Sequence, residues 1–553
     1  MNFKNKIILI LAFTLGLTSC SDYLSVDKYF DDALTLETTF KKREYAEGFL
    51  SNAYEVMWAE VCDISVEEGN DDGWSHSWAG SVLFASDELL RMNNLCKRFQ
   101  NAEYSSENPA GADRPIGDKW KRVFETVRKA TTIIKYADIC EEMTIAERTD
   151  MKAQAYFLRG YAYWVLLRQY GPLTLIPEGG FNVGMTYAEM AVPRNTWDEC
   201  VDAIESDFLA AARLLQPKRS SDNIGRPTQG AALAARARLL LFSASPLYND
   251  NNSLLWELKD DKNKRLMPEE YHEYKWARAA AAALDVINLD KYALYTVPAT
   301  AATVQPPHHA EYSEQDFPNG WKNIDPFESY RQIFNGAVTS SKNPEVIFTR
   351  PNDDKGGITD LNQMQMPISL TGDNAIAVTL AQVNAYVMND GRTIDEAAAT
   401  GDYPMTITKD DFTASTTEYP HLGRGVCLQY ANREPRFYAS IAYPGSIWEC
   451  GNSSEASFKN AQVFYYSGTP NGKGSNVEEH YLITGIGLKK YYHPDDYPGH
   501  WMEKFEPAIR YAEVLLWYAE AINELTQTHE VETYNGVKFN ISRSTAEMQR
   551  GMK

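Results

Sequence analysis

Two stretches of this sequence set flat aromatic rings beside polar side chains. Glu67 to Ser81, EEGNDDGWSHSWAGS, places Asn70, Asp71 and Asp72 next to Trp74 and Trp78 in a run rich in glycine, aspartate and serine. Pro306 to Tyr330 holds His308, His309, Tyr312 and Trp321, with Arg331 just beyond. An exposed ring offers an apolar face, and neighbouring Asp, Asn or Arg side chains can pair with hydroxyls that would otherwise lose their water. That combination suits a sugar ring, which has an apolar C–H face and a rim of hydroxyls. Burial tendency alone favours the opposite reading of Trp74 and Trp78, as rings folded onto the core. The second stretch, rich in proline and tyrosine, serves equally as ligand contact or as a surface for a partner protein.

Motifs for covalent or metal chemistry fail one by one. Gly468 to Lys473, GTPNGK, is one residue short of a phosphate-binding loop and lacks the Ser or Thr after its lysine. Ser25-Val26-Asp27-Lys28 and Ser221-Asp222-Asn223 imitate parts of a penicillin-binding signature, but the chain has no Lys-Thr-Gly. His308-His309 lacks metal-ligand spacing around it, and no Cys-x-x-Cys occurs. Glu67, Glu68, Asp71 and Asp72 read as solvated loop charges or at best a weak calcium site. Glycosidase carboxylates pair in space and leave no mark in sequence. The expectation is a protein with no catalytic residue, no metal and no cofactor.

The scaffold that must position these loops is organised around Met151 to Pro177, MKAQAYFLRGYAYWVLLRQYGPLTLIP. Ala153, Phe157, Gly160, Trp164 and Leu167 recur at steps of four and three, one helical face, while Tyr156, Tyr163 and Tyr170 line a neighbouring face. A helix apolar nearly all round is buried between other helices. Thr144-Ile145-Ala146-Glu147 is a capping box that starts it, and Gly171-Pro172 stops it.

Further helices are expected over Arg43 to Val61, Trp120 to Asp138, Thr196 to Leu215 (behind a second capping box), Thr228 to Ser245 and Trp276 to Asn288. Gly160, Ala231, Ala235 and Ala280 would let neighbouring helices approach closely, as stacked helical pairs require. The spacing is irregular, so the expectation is tetratricopeptide-like pairs without a strict repeat. From about Pro298 to Pro507, Pro, Gly, Asn and Tyr become frequent and strand-like runs are short, among them Glu345 to Thr349 and Phe437 to Tyr443. Pro507 reads as the first position of a returning helix, AIRYAEVLLWYAEAINEL. The fold class is therefore mostly α: a helical-pair superhelix carrying a large loop-rich insertion, and loops on a rigid scaffold are where binding usually sits.

The bulk numbers and the N-terminus place this body. A net charge of −21 over 553 residues argues against a nucleic-acid partner. Lysines at positions 4 and 6 precede an apolar run, Ile7 to Thr18, too short to cross a bilayer. Leu17-Thr18-Ser19-Cys20 resembles a bacterial lipoprotein lipobox, which implies cleavage before Cys20 and acylation of that cysteine; a plain secretory signal is the alternative. Residues 1–19 are then signal peptide, 20–40 tether, 41–297 helical scaffold, 298–506 the loop-rich region and 507–553 a returning helical segment. Cys62, Cys96, Cys140, Cys200, Cys427 and Cys450 are scattered and read mostly as small buried hydrophobes, with Cys427 and Cys450 a candidate disulfide.

Taken together, these stretches resemble the SusD-like (RagB) outer-membrane lipoproteins of Bacteroidetes. The resemblance is carried by the lipobox, Ser86-Asp87-Glu88, AYFLRGYAYWVLLRQYGPLTLIP, AAAALDVINLDKYALY from Ala280, NAYVMNDGR from Asn384, NREPRFYASIAY from Asn432 and IRYAEVLLWYAEAINE from Ile509. It implies a surface-exposed, non-enzymatic glycan-binding lipoprotein of the outer membrane that lids a TonB-dependent, SusC-like transporter and delivers oligosaccharide to it. It implies four tetratricopeptide-like pairs and a loop-rich ligand face, with Asn70, Asp72, Trp74, Trp78, Tyr312 and Trp321 as ligand contacts. Family members usually continue past YNGVKFNISRSTAEMQRGMK, so the resemblance also implies truncation or divergence there. A helical-scaffold glycoside hydrolase and a transporter lid with no glycan site of its own stay open as alternatives.

Overall fold

The computed structural model describes residues 35–61, 89–90, 101–103, 119–181, 184–250, 255, 257–350, 358–403, 422, 425–474 and 481–552. The organising helix, α3, spans Ile145–Tyr170. It is preceded by α1, Arg43–Val61, and α2, Lys119–Tyr136. It is followed by α4, Trp197–Leu214, α5, Gln229–Ala244, and α6, Tyr274–Ile287. After the loop-rich region come α7, Tyr511–Asn523, and α8, Thr545–Met552. Each of these helices packs on the next, from α1 on α2 through to α7 on α8, so the chain stacks helical pairs in sequence order.

The local signals act as the residues dictate. Thr144 and Glu147 exchange both capping-box bonds, and Gly171 ends α3 at a φ of 71°, a left-handed conformation that glycine adopts without steric cost. Phe157, Trp164 and Leu167 are buried on α3, and so are Tyr161 and Tyr163 on its other faces. Phe157 meets Phe208 of α4, and Trp164 meets Phe242 of α5 edge-on at 5.0 Å. Gly160 is the contact point with α4: a Cβ there would lie 3.1 Å from both Asp207 Cβ and the Phe208 ring.

Buried charge ties the pairs together. Arg236 on α5 donates to Glu205 of α4 and to Asp285 of α6, each at 2.8 Å. Asp285 also accepts the backbone N–H of Tyr534, 3.1 Å away in the turn of the hairpin between α7 and α8. Arg278 of α6 pairs with Glu205 as well. At the start of α6, Glu273 accepts from the backbone of Thr526 and Gln527 at 2.9 and 3.1 Å, and meets His529 at 3.0 Å. These bonds, the Thr526 hydroxyl first, hold its carboxyl down at about 2.

Strands in the loop-rich region are short. β1, Leu89–Leu90, β3, Ala377–Val378, β4, Ile441–Ala442, and β7, Gly487–Leu488, form an antiparallel sheet in the order β1-β3-β7-β4. β5, Ser446–Trp448, pairs with β6, Ala461–Val463. β2, Val346–Arg350, pairs with β8, Glu506–Arg510, which closes the insertion onto the scaffold through an irregular register. β9, His529–Glu532, and β10, Lys538–Ile541, form the hairpin between α7 and α8. Two further cores, one around Phe437 and Tyr443 and one around Trp448 and Tyr492, fill the space under these strands.

Four expectations need correction. Leu36–Phe40, assigned to the tether, is a short helix whose Phe40 is buried against Phe49 and Tyr136. Pro507 lies in β8 opposite Thr349, where the register is irregular and a missing N–H is tolerated. The helix starts four residues later behind Arg510, whose backbone N–H bonds Glu513. Phe437 to Tyr443 is not one strand: Pro435–Ser440 is a helix with proline in its first turn, and only Ile441–Ala442 is extended. Cys427 and Cys450 are both free, buried in different cores, and Cys140 and Cys200 are free and buried too.

Three outcomes follow. Gly160→Val overpacks the α3–α4 contact and should cost about 1–3 kcal/mol, read from the urea midpoint at unchanged slope. Gly160→Ala should be milder, because added helix propensity of up to about 1 kcal/mol offsets the tight contact. Glu273→Gln should lower the midpoint at neutral pH, and the gap to the parent should close on acidification. The Glu273 carboxyl is depressed in the fold, so its contribution is present above the ordinary glutamate range near 4.3 and is lost as pH falls towards about 2.

Candidate ligand-binding site

Of the two aromatic stretches, only the second lies within the described residues. Asn70, Asp72, Trp74 and Trp78, like Cys20, lie outside them. The second stretch is anchored at its root by Glu345, a buried carboxylate that accepts from Tyr295 N at 3.0 Å and from Arg510 Nη1 at 2.7 Å. Val297 N donates to Ser329 Oγ at 2.8 Å, and Asp325 N donates back to Val297 O at 2.8 Å. A bridge between Pro298 and Ile324 closes the loop, with Ala299 N donating to Asn323 O. Asp325 also caps the helix Pro326–Arg331 and accepts from the Thr303 hydroxyl at 2.7 Å. Residues 298–325 thus leave and rejoin the body at one fixed neck.

Above that neck the rings gather. The His309 and Tyr312 rings stack 4.7 Å apart with planes 16° from parallel. Tyr312 lies 5.7 Å from Trp321, and His309 lies 6.4 Å from it. Tyr312 and Trp321 are half-buried and His309 is exposed, so Trp321 is not sealed in the interior. Backbone bonds hold the cluster: Trp321 N donates to Tyr312 O, Lys322 N to Gln315 O, and Gly320 N to Asp316 O. The chain approaches itself so closely that a Cβ at Gly320 would sit 2.0 Å from Tyr312 O. Glycine is required there for close approach.

The polar surroundings are acidic and partly paired. Burial, followed by a hydrogen bond to the Glu311 carboxylate, raises the Tyr312 phenol above its usual range. Lys322 lies 3.5 Å from Glu314, and His308 lies 3.9 Å from the same carboxylate. Arg331, grouped with these rings by sequence, is instead turned into pairs with Glu328 and Glu449 and lies over Phe327 at 4.7 Å. Tyr312 and Trp321 therefore come together as expected, and Arg331 does not join them. Sequence reasoning missed the anchors. Glu345 reads as one more charged residue before a strand, and the only local mark of the close approach was Gly320 directly before Trp321. Among the described residues no group of His, Cys, Asp and Glu is arranged to hold a metal.

The mostly helical, stacked-pair body is shared with solved SusD-like proteins, and the chain belongs to the SusD/RagB family. The family described as SusD matches residues 344–537, and the one described as starch-binding associating with outer membrane matches residues 75–241. Among solved structures, the protein BT4246 shares 19% identity over 87% of this chain and 81% of its own, with a TM-score of 0.64. A SusD-like carbohydrate binding protein of Bacteroides fragilis shares 19% identity over 93% and 84%, with a TM-score of 0.56. A SusD-like protein of the same species shares 19% over 89% and 77%, with a TM-score of 0.55. No curated protein matches the sequence.

Gly320→Ala should unseat the loop without unfolding the body. Limited proteolysis under native conditions should then cut within residues 298–325 while the global urea midpoint moves little, because the loop opens as a local unit.

Proposed function

We propose that this protein binds oligosaccharide at the cell surface and delivers it to a TonB-dependent, SusC-like transporter in the outer membrane, without cleaving it. The observation that carries this reading is the His309, Tyr312 and Trp321 cluster: rings held by backbone bonds and open to solvent on a loop with a fixed neck. Pre-set aromatic faces bind the apolar side of a pyranose with little ordering cost. Family membership supports the same reading, as does the carbohydrate-binding relative of Bacteroides fragilis. Asn70, Asp72, Trp74 and Trp78 would add further ligand contacts, and acylated Cys20 the anchor.

Affinity electrophoresis against neutral polysaccharides tests the binding step. Trp321→Ala should weaken retention at least about tenfold, the stacking contribution plus lost apolar contact. Retention untouched by Trp321→Ala, Trp74→Ala and Trp78→Ala would move the site elsewhere. New reducing ends released from the bound polymer, and lost on substituting one carboxylate, would overturn the non-enzymatic reading. Labelled palmitate entering the parent but not Cys20→Ser tests the anchor, and co-purification with a barrel transporter tests the partner.

A further inference from the structure

We propose that His309 is a third ligand-facing ring of this surface and works only as the neutral imidazole, so that glycan affinity falls as the medium turns acidic. The proposal rests on the glycan-binding reading above. It is carried by one hydrogen bond: His309 Nδ1 accepts the backbone N–H of Glu311 at 3.2 Å. A ring nitrogen that accepts carries no proton, so the imidazole proton sits on Nε2. The rest of the residue is pinned as well. Its N–H donates to Ser313 Oγ at 2.8 Å, and its carbonyl accepts from Ser313 N at 3.1 Å. With the backbone fixed at both ends and Nδ1 tied to Glu311 N, the ring lies almost parallel to Tyr312. In that pose the imidazole extends the Tyr312 face and keeps the Nε2–H as a donor for a sugar hydroxyl.

Protonation removes the tie. An imidazolium bears hydrogens on both nitrogens, so Nδ1–H would face Glu311 N–H donor to donor. The ring must then turn away from Tyr312. The charged groups of the same loop include Glu311, Asp316 and Glu314, the last with His308 and Lys322 lying against it, and the Tyr312 phenol ring stacks on His309. The carboxylates can receive a displaced imidazolium, which eases the rotation.

The test combines a ligand-free and a ligand-bound measurement. Nitrogen NMR of histidine-labelled protein, with His309→Phe for assignment, should show His309 protonated on Nε2 and bare on Nδ1 at pH 8. Affinities for amylopectin, laminarin, xyloglucan and galactomannan are then measured from pH 8 to pH 5.5. The best-bound polymer should lose about tenfold in affinity from the top to the bottom of that range. His309→Phe, which keeps a flat ring but cannot titrate, should flatten the profile, whereas His308→Ala should follow the parent. An Nδ1-protonated tautomer at pH 8 would overturn the proposal whatever is bound, as would an equal acid loss in His309→Phe. Trp321-dependent binding with no pH response would sink this inference and leave the glycan reading intact. No binding by any polymer at pH 8 would remove that reading and the ligand role of His309 with it.

Discussion

A single buried guanidinium sets the terms for the scaffold. Arg236 is almost wholly withdrawn from water, and a charge so placed is tolerated only with good partners on several sides. Its partners come from the helices before and after its own, Glu205 and Asp285. Asp285 in turn reaches the backbone of Tyr534, so one charge registers α4, α5, α6 and the turn beyond α7. Apolar packing of Ala231, Ala235 and Ala280 would tolerate sliding between these helices. The charge does not, because any slip leaves an ion unpaired in the interior. Retaining a buried pair for register is the best-attested use of such groups.

The same device hands rigidity from scaffold to loops. Glu345 is buried where the insertion meets the body and binds Arg510 at the start of α7 and Tyr295 at the root of the aromatic loop. A second pair, Lys504 with Asp496 at 2.7 Å, is fully enclosed further along. Asp496 also takes backbone N–H groups from His493 and Met502, so its lone pairs are filled. Irregular backbone cannot satisfy itself as a helix does, and buried carboxylates provide acceptors where ladders are missing. A loop-rich face is thereby made stiff enough to present rings in one arrangement.

What could be read from the sequence divides along that line. The helices were legible because their signals are local: Thr144 with Glu147, Thr196 with Glu199, and Gly171 before Pro172 act within a few residues of themselves. Gly160 and the alanines told of close packing for the same reason. Pro507 misled because a proline near a helix start and a proline in an irregular edge ladder look alike until the partner strand is known. Phe437 to Tyr443 misled because Pro435 opens a short helix whose Phe437 packs into one core, while Ala442 of the strand after it reaches the other. Tyr312 and Trp321 were legible as neighbours, since only eight residues of turn-forming chain lie between them. Glu345 was not, since its partners at Tyr295 and Arg510 lie 50 and 165 residues away.

The placement of unusual carboxyls follows the same division between scaffold and loops. Among the described residues, acids raised above their usual range sit in the scaffold helices. Burial lifts Asp285 to about 6 despite Arg236, and burial also raises Asp207, Glu513 and Glu520. On the loop-rich side the balance runs the other way. Burial alone would raise Glu449, but Lys489 and Arg331 outweigh it and hold the group low. Glu314 faces Lys322, and Glu311 receives the Tyr312 hydroxyl. The carboxylates nearest the aromatic rings are thus engaged in orienting their neighbours.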